Sequence, residues 1–376
     1  MTPPPVSRRL AAVVGLAIMA ARCGESGLVG PVRLSNPGEI PGRLQAVSTP
    51  FNSQVYHSFA NLIGRFHPAA SPIGLAVTLA GATQPVLPAV IPSARGPYFR
   101  GARQAQALRQ LLRSLGSVLP TAIFPPEAVG KTYVWNPTTL AYEVSGRTGA
   151  PSNGVRLILY AIDAQTLLPD ASSEIGYIDL VDASSSTGSS VALQVDVVRT
   201  QEPASVTYVH YTVSVAATQT PDTVTDAGYV TDGTTRLDFR GTITATQTSA
   251  TFDIHFDVNA QDVHLQLVLE FTPSTQRIEF TFGHGTEVIT TAGTLTKASG
   301  ALSGTLTVTV NGGTFATCDA DDDGFVGECQ GASGTLTSEE QAALAALGGA
   351  IFDNAVFAGF FDSVNAALAV MGFPPV

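Results

Sequence analysis

Residues 252–282 read FDIHFDVNAQDVHLQLVLEFTPSTQRIEFTF. Phe252, Ile254 and Phe256 alternate with Asp253, His255 and Asp257. Leu265, Leu267 and Leu269 repeat the alternation, and so do Ile278, Phe280 and Phe282. A period of two is the signature of strands with one buried and one solvated face. Two-residue turns at Thr248-Ser249, Asn259-Ala260 and Pro273-Ser274 would set Ile243 opposite Ile254 and Phe239 opposite Val258. They also set Phe256 opposite Val263, Ile254 opposite Leu265, Leu267 opposite Phe280 and Leu269 opposite Ile278. The other face then pairs Arg240 with Asp257, Glu270 with Arg277, His255 with His264, and Asp257 with Asp262. A slip of one residue would send every apolar side chain to water, so the parity is strongly specified.

Outward from this stretch the texture persists. From about Lys131 to Thr317, Thr, Val, Tyr, Phe and Ile alternate with polar residues, and turn residues recur every eight to fifteen positions. No helical period interrupts the set from Thr235 onward, so hairpins connect the strands and the sheet is antiparallel. The expected class is mainly β: a large, curled antiparallel meander, half-barrel or barrel-like, with N-terminal helices and a buried C-terminal apolar helix. An outer-membrane barrel fits less well, because the paired charges of the polar face suit water and the C-terminal helix needs a home.

That helix is expected over 338–371. Thr337 and Glu340 have capping-box spacing, and Leu344, Leu347, Ile351, Phe352, Val356, Phe360, Phe361, Val364 and Leu368 form an arc too wide for a solvated helix. Gly348-Gly349 and Gly359 are candidate breaks. Toward the N-terminus, Ser53 or Asn52 caps a helix to about Phe66 with Val55, Phe59, Leu62 and Ile63 on one face. A second, basic helix is expected near 99–115. The domain reading is an export signal over 1–22, a Gly/Pro/Ser-rich tether over 23–50, a helical region over 51–120 and the β domain over 121–376.

The export reading rests on Arg8-Arg9 before the apolar run Leu10–Ala21, which is shorter than the ~20 residues a membrane span needs. Ser7-Arg8-Arg9 faintly resembles a twin-arginine signal. Of three cysteines, Cys318 and Cys329 bracket one loop and would pair in an oxidising compartment, leaving Cys23. Ala20-Ala21-Arg22-Cys23 resembles the acceptor site of bacterial lipoproteins, although Arg22 stands where that pattern has a small residue. The resemblance implies lipidation at Cys23 and a bacterial envelope location; ordinary cleavage would give an extracellular protein.

Charge argues about partners. Residues 1–120 carry eleven Arg and two acids, whereas 121–376 carry eight basic and twenty-eight acidic residues. The acidic bulk excludes nucleic acid as a natural partner. The basic N-terminal part is expected to dock on it.

The loop 318–329 reads CDADDDGFVGEC. Asp319, Asp321 and Asp323 alternate, with Gly324 sixth in the loop counted from Asp319. This resembles an EF-hand calcium loop over twelve residues, with Gln330 where the family has its bidentate Glu. The resemblance implies Ca²⁺ held by Asp319, Asp321, Asp323, the Phe325 carbonyl and, in place of the missing Glu, Glu328. Because a strand leads into the loop, a structural ion is implied rather than a switch. A weaker candidate is a transition-metal site, or a hydrolase site, from His255, His264, Asp257 and Asp262 on the polar face. No nucleophile elbow, phosphate loop or dinucleotide fingerprint occurs.

The expected function is therefore non-enzymatic: an exported, lipid-anchored or secreted protein that binds an apolar or lipid-like ligand on its inner sheet face. Phe252, Ile254, Phe256, Leu265, Leu267, Leu269, Ile278, Phe280 and Phe282 would line the site. The alternative is a calcium-stabilised surface or adhesive module without a small ligand.

Overall fold

The computed structural model describes residues 31–64, 77–78, 122–185, 190–200, 204–216, 222–246, 248–298, 301–321, 324–352 and 355–371. The export signal, Cys23 and the basic helix expected near 99–115 lie outside them.

One sheet contains β1 (Val77–Thr78), β2 (Thr132–Asn136), β3 (Ala141–Ser145), β4 (Gly154–Ile162), β5 (Pro169–Asp182), β6 (Val191–Arg199), β7 (Val206–Ala216) and β8 (Asp222–Thr231). It continues with β9 (Arg236–Ala245), β10 (Ala250–Val258), β11 (Val263–Phe271), β12 (Thr275–His284), β13 (Glu287–Ala298), β14 (Ala301–Val310), β15 (Gly313–Asp321) and β16 (Gln330–Gly331). From β4 to β16 each strand pairs with the next in an antiparallel meander. At the other end β3 folds outside β2, and β2 meets β4 in a short parallel match, Thr132 to Arg156 and Tyr133 to Leu157.

The parity derived from 252–282 holds, and the pairing shifts by two residues at two turns. Phe252 faces Ile243, and Phe256 faces Phe239 on one side and Leu265 on the other. His255 therefore lies opposite Arg240 and Gln266 rather than His264. The cause lies in the turns. The Thr246 amide donates to the Ser249 carbonyl, so that turn sits earlier than Thr248-Ser249. Residues 259–262 form a 3-10 turn closed by Asp262 in the left-handed region (φ 52°), two residues longer than the expected turn. A change of two preserves the face of every side chain, which is why the alternation cannot see it. The pairs Leu267–Phe280, Leu269–Ile278 and Glu270–Arg277 stand as derived.

Among the described residues, four α-helices lie on the apolar side: α1 (Ile40–Ser48), α2 (Gln54–Gly64), α3 (Ser338–Phe352) and α4 (Ala355–Val370), with a 3-10 turn, Thr49–Asn52, between the first two. Part of the expected tether is thus structured. Ile40, Leu44 and Val47 fall at i, i+4 and i+7 and are buried, giving α1 an apolar stripe to pack. In α2, Val55, Phe59 and Leu62 are buried as expected, and the Ser53 hydroxyl accepts the Tyr56 amide as the cap. The single helix expected over 338–371 is two. Its candidate glycine breaks lie inside the helices, where Gly348 and Gly359 serve close approach instead and Gly349 faces open space. A Cβ on Gly348 would stand 2.7 Å from the Phe325 ring, and one on Gly359 would stand 2.6 Å from the Phe51 ring. The capping box at the start of α3 is formed: the Glu340 amide donates to the Thr337 hydroxyl, and the Thr337 amide to the Glu340 carboxylate. Arg33 adds an ion pair to the buried Glu340 at 3.0 Å, tying the N-terminal segment to α3. No described helix is long and apolar enough to cross a membrane.

Candidate functional site

Alternation turns the nine residues expected to bind an apolar ligand inward, and all nine are buried. Their space is filled by the protein's own helices where aromatic contacts can be traced. The Phe256 ring lies 5.3 Å from Phe357 and 6.0 Å from Phe360, and Phe252 lies 5.7 Å from Phe361. Phe360 also meets Phe239 edge-on at 5.9 Å. Opposite this ring β9 carries Gly241, where a Cβ would come within 2.3 Å of Phe360. Edge-to-face geometry repeated over these rings is the packing of a finished core.

The acidic loop is a β-hairpin. β15 runs on to Asp321, Ala320 pairs with Phe325, the Asp321 amide donates to the Gly324 carbonyl, and the Val326 amide to the Asp319 carbonyl. Cys318 and Cys329 form the expected disulfide across its base. The Asp319 carboxylate accepts the Thr305 hydroxyl at 2.9 Å, and the Asp321 carboxylate accepts the Gly324 amide at 3.1 Å. Asp319 and Asp321 share the outer face. Phe325 turns its ring to Gly348 and to Phe352, 6.1 Å away, and its carbonyl points away from β15 because 320 and 325 are a non-hydrogen-bonded pair. Asp323 lies outside the described residues, and Glu328 is exposed. Among the described residues no three His, Cys, Asp or Glu side chains gather as a metal-binding group. The wrapped loop implied by the resemblance is replaced by a hairpin stem with two carboxylates on one side. Of the residues the resemblance assigns to calcium, Asp319 and Asp321 lie on the same side of that stem. A cleft of about 270 Å³ opens beside this hairpin, between Phe325, Cys329, Gln341, Gly348, Gly349 and Phe352.

On the outer face the His/Asp rows become ion pairs. His264 sits between Asp257, 2.7 Å from Nδ1, and Asp262, 3.3 Å from Nε2. His255 Nε2 lies 3.1 Å from Asp253, and Arg240 reaches His255 Nδ1 at 3.2 Å. His210 pairs with Asp196 and stacks near Tyr229. The expected meeting of His255 with His264 is lost with the shift in pairing. The hydrogen bond to Asp257, reinforced by Asp262, raises the His264 pKa above its ordinary value of 6.5. The stabilisation is therefore present below the unfolded-state value and is lost as pH rises through the folded-state value. An NMR titration should place the His264 midpoint above 6.5, and Asp257→Asn should bring it down. An unchanged midpoint in that variant would show that the pair does not form in solution.

No family model matches the chain, and neither a curated protein nor a solved structure matches it.

Asp226 is a site that inspection of motifs passes over. It lies on β8 and is buried, and neither carboxylate oxygen has a hydrogen-bond partner among the described residues. The signal was present in Val224-Thr-Asp226-Ala-Gly228-Tyr-Val230, where the inward parity of the two valines carries Asp226 inward too.

Proposed function

We propose that the protein is an exported, non-enzymatic structural module of the bacterial cell envelope or cell surface, anchored through Cys23 or secreted. The observation that carries this reading is the seating of Phe357, Phe360 and Phe361 on Phe252 and Phe256, which places the protein's own helix on the β10 part of the face proposed for a lipid. The disulfide at the base of the acidic hairpin supports an oxidising compartment. The outer face offers paired charges suited to water. Ca²⁺ at Asp319, Asp321 and the hairpin tip would offset the repulsion of five acids within residues 319–328.

Organic extraction of the purified protein followed by mass spectrometry is expected to yield no stoichiometric lipid, and recovery of one would overturn the reading. A chelator is expected to lower Tm by at least about 2 °C, and Asp321→Ala to abolish that response. An unmoved Tm would remove calcium from the proposal and leave the structural role standing. A second reading keeps an apolar ligand but moves it to the cleft walled by Phe325 and Phe352. The same extraction decides it.

A further inference from the structure

The carboxyl of Asp226 has an apolar setting. Its cross-strand neighbours are Val213 on β7 and Gly241 on β9, and along β8 it lies between Val224 and Gly228. Both glycines bring other groups close. Phe360 of α4 fills the space over Gly241, and a Cβ on Gly228 would stand 2.5 Å from Tyr211 Cβ. The helix face that closes this region is thus set directly against the strand pair that carries the acid.

The other titratable groups facing this region can be named element by element. From β7, Tyr211 is buried, and its hydroxyl donates to the Ser363 carbonyl of α4. From α2, Tyr56 donates to the Gly359 carbonyl of α4. From α4 itself, Asp362 is exposed on the far side of the helix from its buried neighbours Phe361 and Ser363, and partial desolvation raises its carboxyl above its ordinary value. Each of the two tyrosine hydroxyls has spent its proton on an α4 carbonyl. β9 contributes Gly241, Phe239 and Ile243 to the inner layer. The basic side chains of the flanking strands, His210, Arg236 and Arg240, belong to the opposite parity and are engaged on the outer face by Asp196, Asp238 and His255. No described cation therefore stands beside Asp226 to offset a charge.

We propose that Asp226 is a pH-sensitive latch on α4: uncharged, it lets the aromatic face of α4 seat on β7–β9, and ionised, it loosens that seat. Physics supports the direction. Burial drives the Asp226 carboxyl well above its ordinary value, opposed only in part by the nearby Ala227 amide, which is not placed to make a hydrogen bond to it. A carboxyl raised in the folded state contributes stability that is full below its unfolded value and is lost as pH rises toward the folded one. The cost of charging falls on contacts that can open: α4 sits on the flanking strands, with Phe360 over Gly241 and the Ser363 carbonyl on Tyr211, and the 3-10 turn Thr49–Asn52 packs on β8 itself. Strands β7–β9 are hydrogen-bonded on both sides and are the stiffer partner.

Hydrogen–deuterium exchange of residues 355–371 tests the latch, comparing the full chain with Asp226→Asn at matched pH so that intrinsic exchange rates cancel. At pH 5 the two proteins should exchange α4 at the same rate. At pH 9 the wild-type segment should exchange at least about tenfold faster than the variant, a factor corresponding to one pKa unit of linkage. A control peptide from β12 and β13 should show no such difference. Equal rates at pH 9 would overturn the proposal. Should Asp226→Asn fail to fold, carboxyl NMR of the wild-type protein serves instead: a midpoint for Asp226 near that of free aspartate would overturn it, and absence of titration through pH 4–6 would support it.

Discussion

Phe360→Ala is expected to lower the unfolding free energy by about 3–5 kcal/mol, the range for deleting a buried aromatic ring. The ring is buried and touches Phe239, Phe256 and Phe361, at centroid distances of 5.9, 6.0 and 5.4 Å. It joins α4 to β9 and β10 at once, so its loss leaves a cavity with rigid strand walls on one side. Gly241→Val attacks the same contact from the sheet. Its Cβ would enter the Phe360 ring at 2.3 Å, and the expected loss is about 1–3 kcal/mol from overpacking. The two changes are complementary in volume. The double variant should therefore lose less than the sum, with a coupling in chemical denaturation above the ~0.5 kcal/mol that independent sites show. A single loss under about 1 kcal/mol for Phe360→Ala would mean that α4 does not seat on the sheet.

Replacing both Cys318 and Cys329 by serine is expected to cost about 2–3 kcal/mol in the chain-entropy view, because the bridge closes a short loop, with a sequence separation of 11. The site adds an enthalpic share. Both cysteines are buried, so two hydroxyls would enter an apolar setting. The carbonyl of Cys329 accepts the Gln341 side chain at 2.9 Å, so the bridge also holds the hairpin against α3 and keeps Phe325 on Gly348. Denaturant titration of the oxidised protein, the reduced protein and the double variant measures this. Equal midpoints for all three would show that the hairpin is held by its packing alone.

The legible and the hidden parts of this molecule divide along clear lines. Strand parity over 252–282 was readable because side-chain direction alternates with every residue, and burial of one face demands it of all strands alike. The capping box at Thr337 and Glu340 was readable because it closes within four residues. The disulfide was readable by count and proximity. The two-residue shifts at β9–β10 and β10–β11 were not. Both registers keep the faces intact, and the choice belongs to turn conformations such as the left-handed Asp262. Gly348 and Gly359 read as candidate breaks because their reason is a partner far away in sequence, Phe325 or Phe51. Residues 37–48 looked like a tether because Pro and Gly dominate the impression, whereas three spaced apolar side chains suffice once α3 is there to receive them.

Local chemistry by itself determined that this chain makes an antiparallel sheet with one dry face, that an apolar helical segment follows it, and that two cysteines close an acidic loop. Tertiary structure alone decided what covers the dry face. A row of Phe, Leu and Ile looks the same whether a lipid or the chain's own helix will lie on it, since hydrophobic burial is non-directional. Only the three-dimensional meeting of Gly241 with Phe360 and of Phe256 with Phe357 assigns the place to α4. Asp226 lies next to that meeting, opposite Gly241: the parity of Val224 and Val230 turns it inward, but only the packed structure leaves its carboxylate without a hydrogen-bond partner among the described residues.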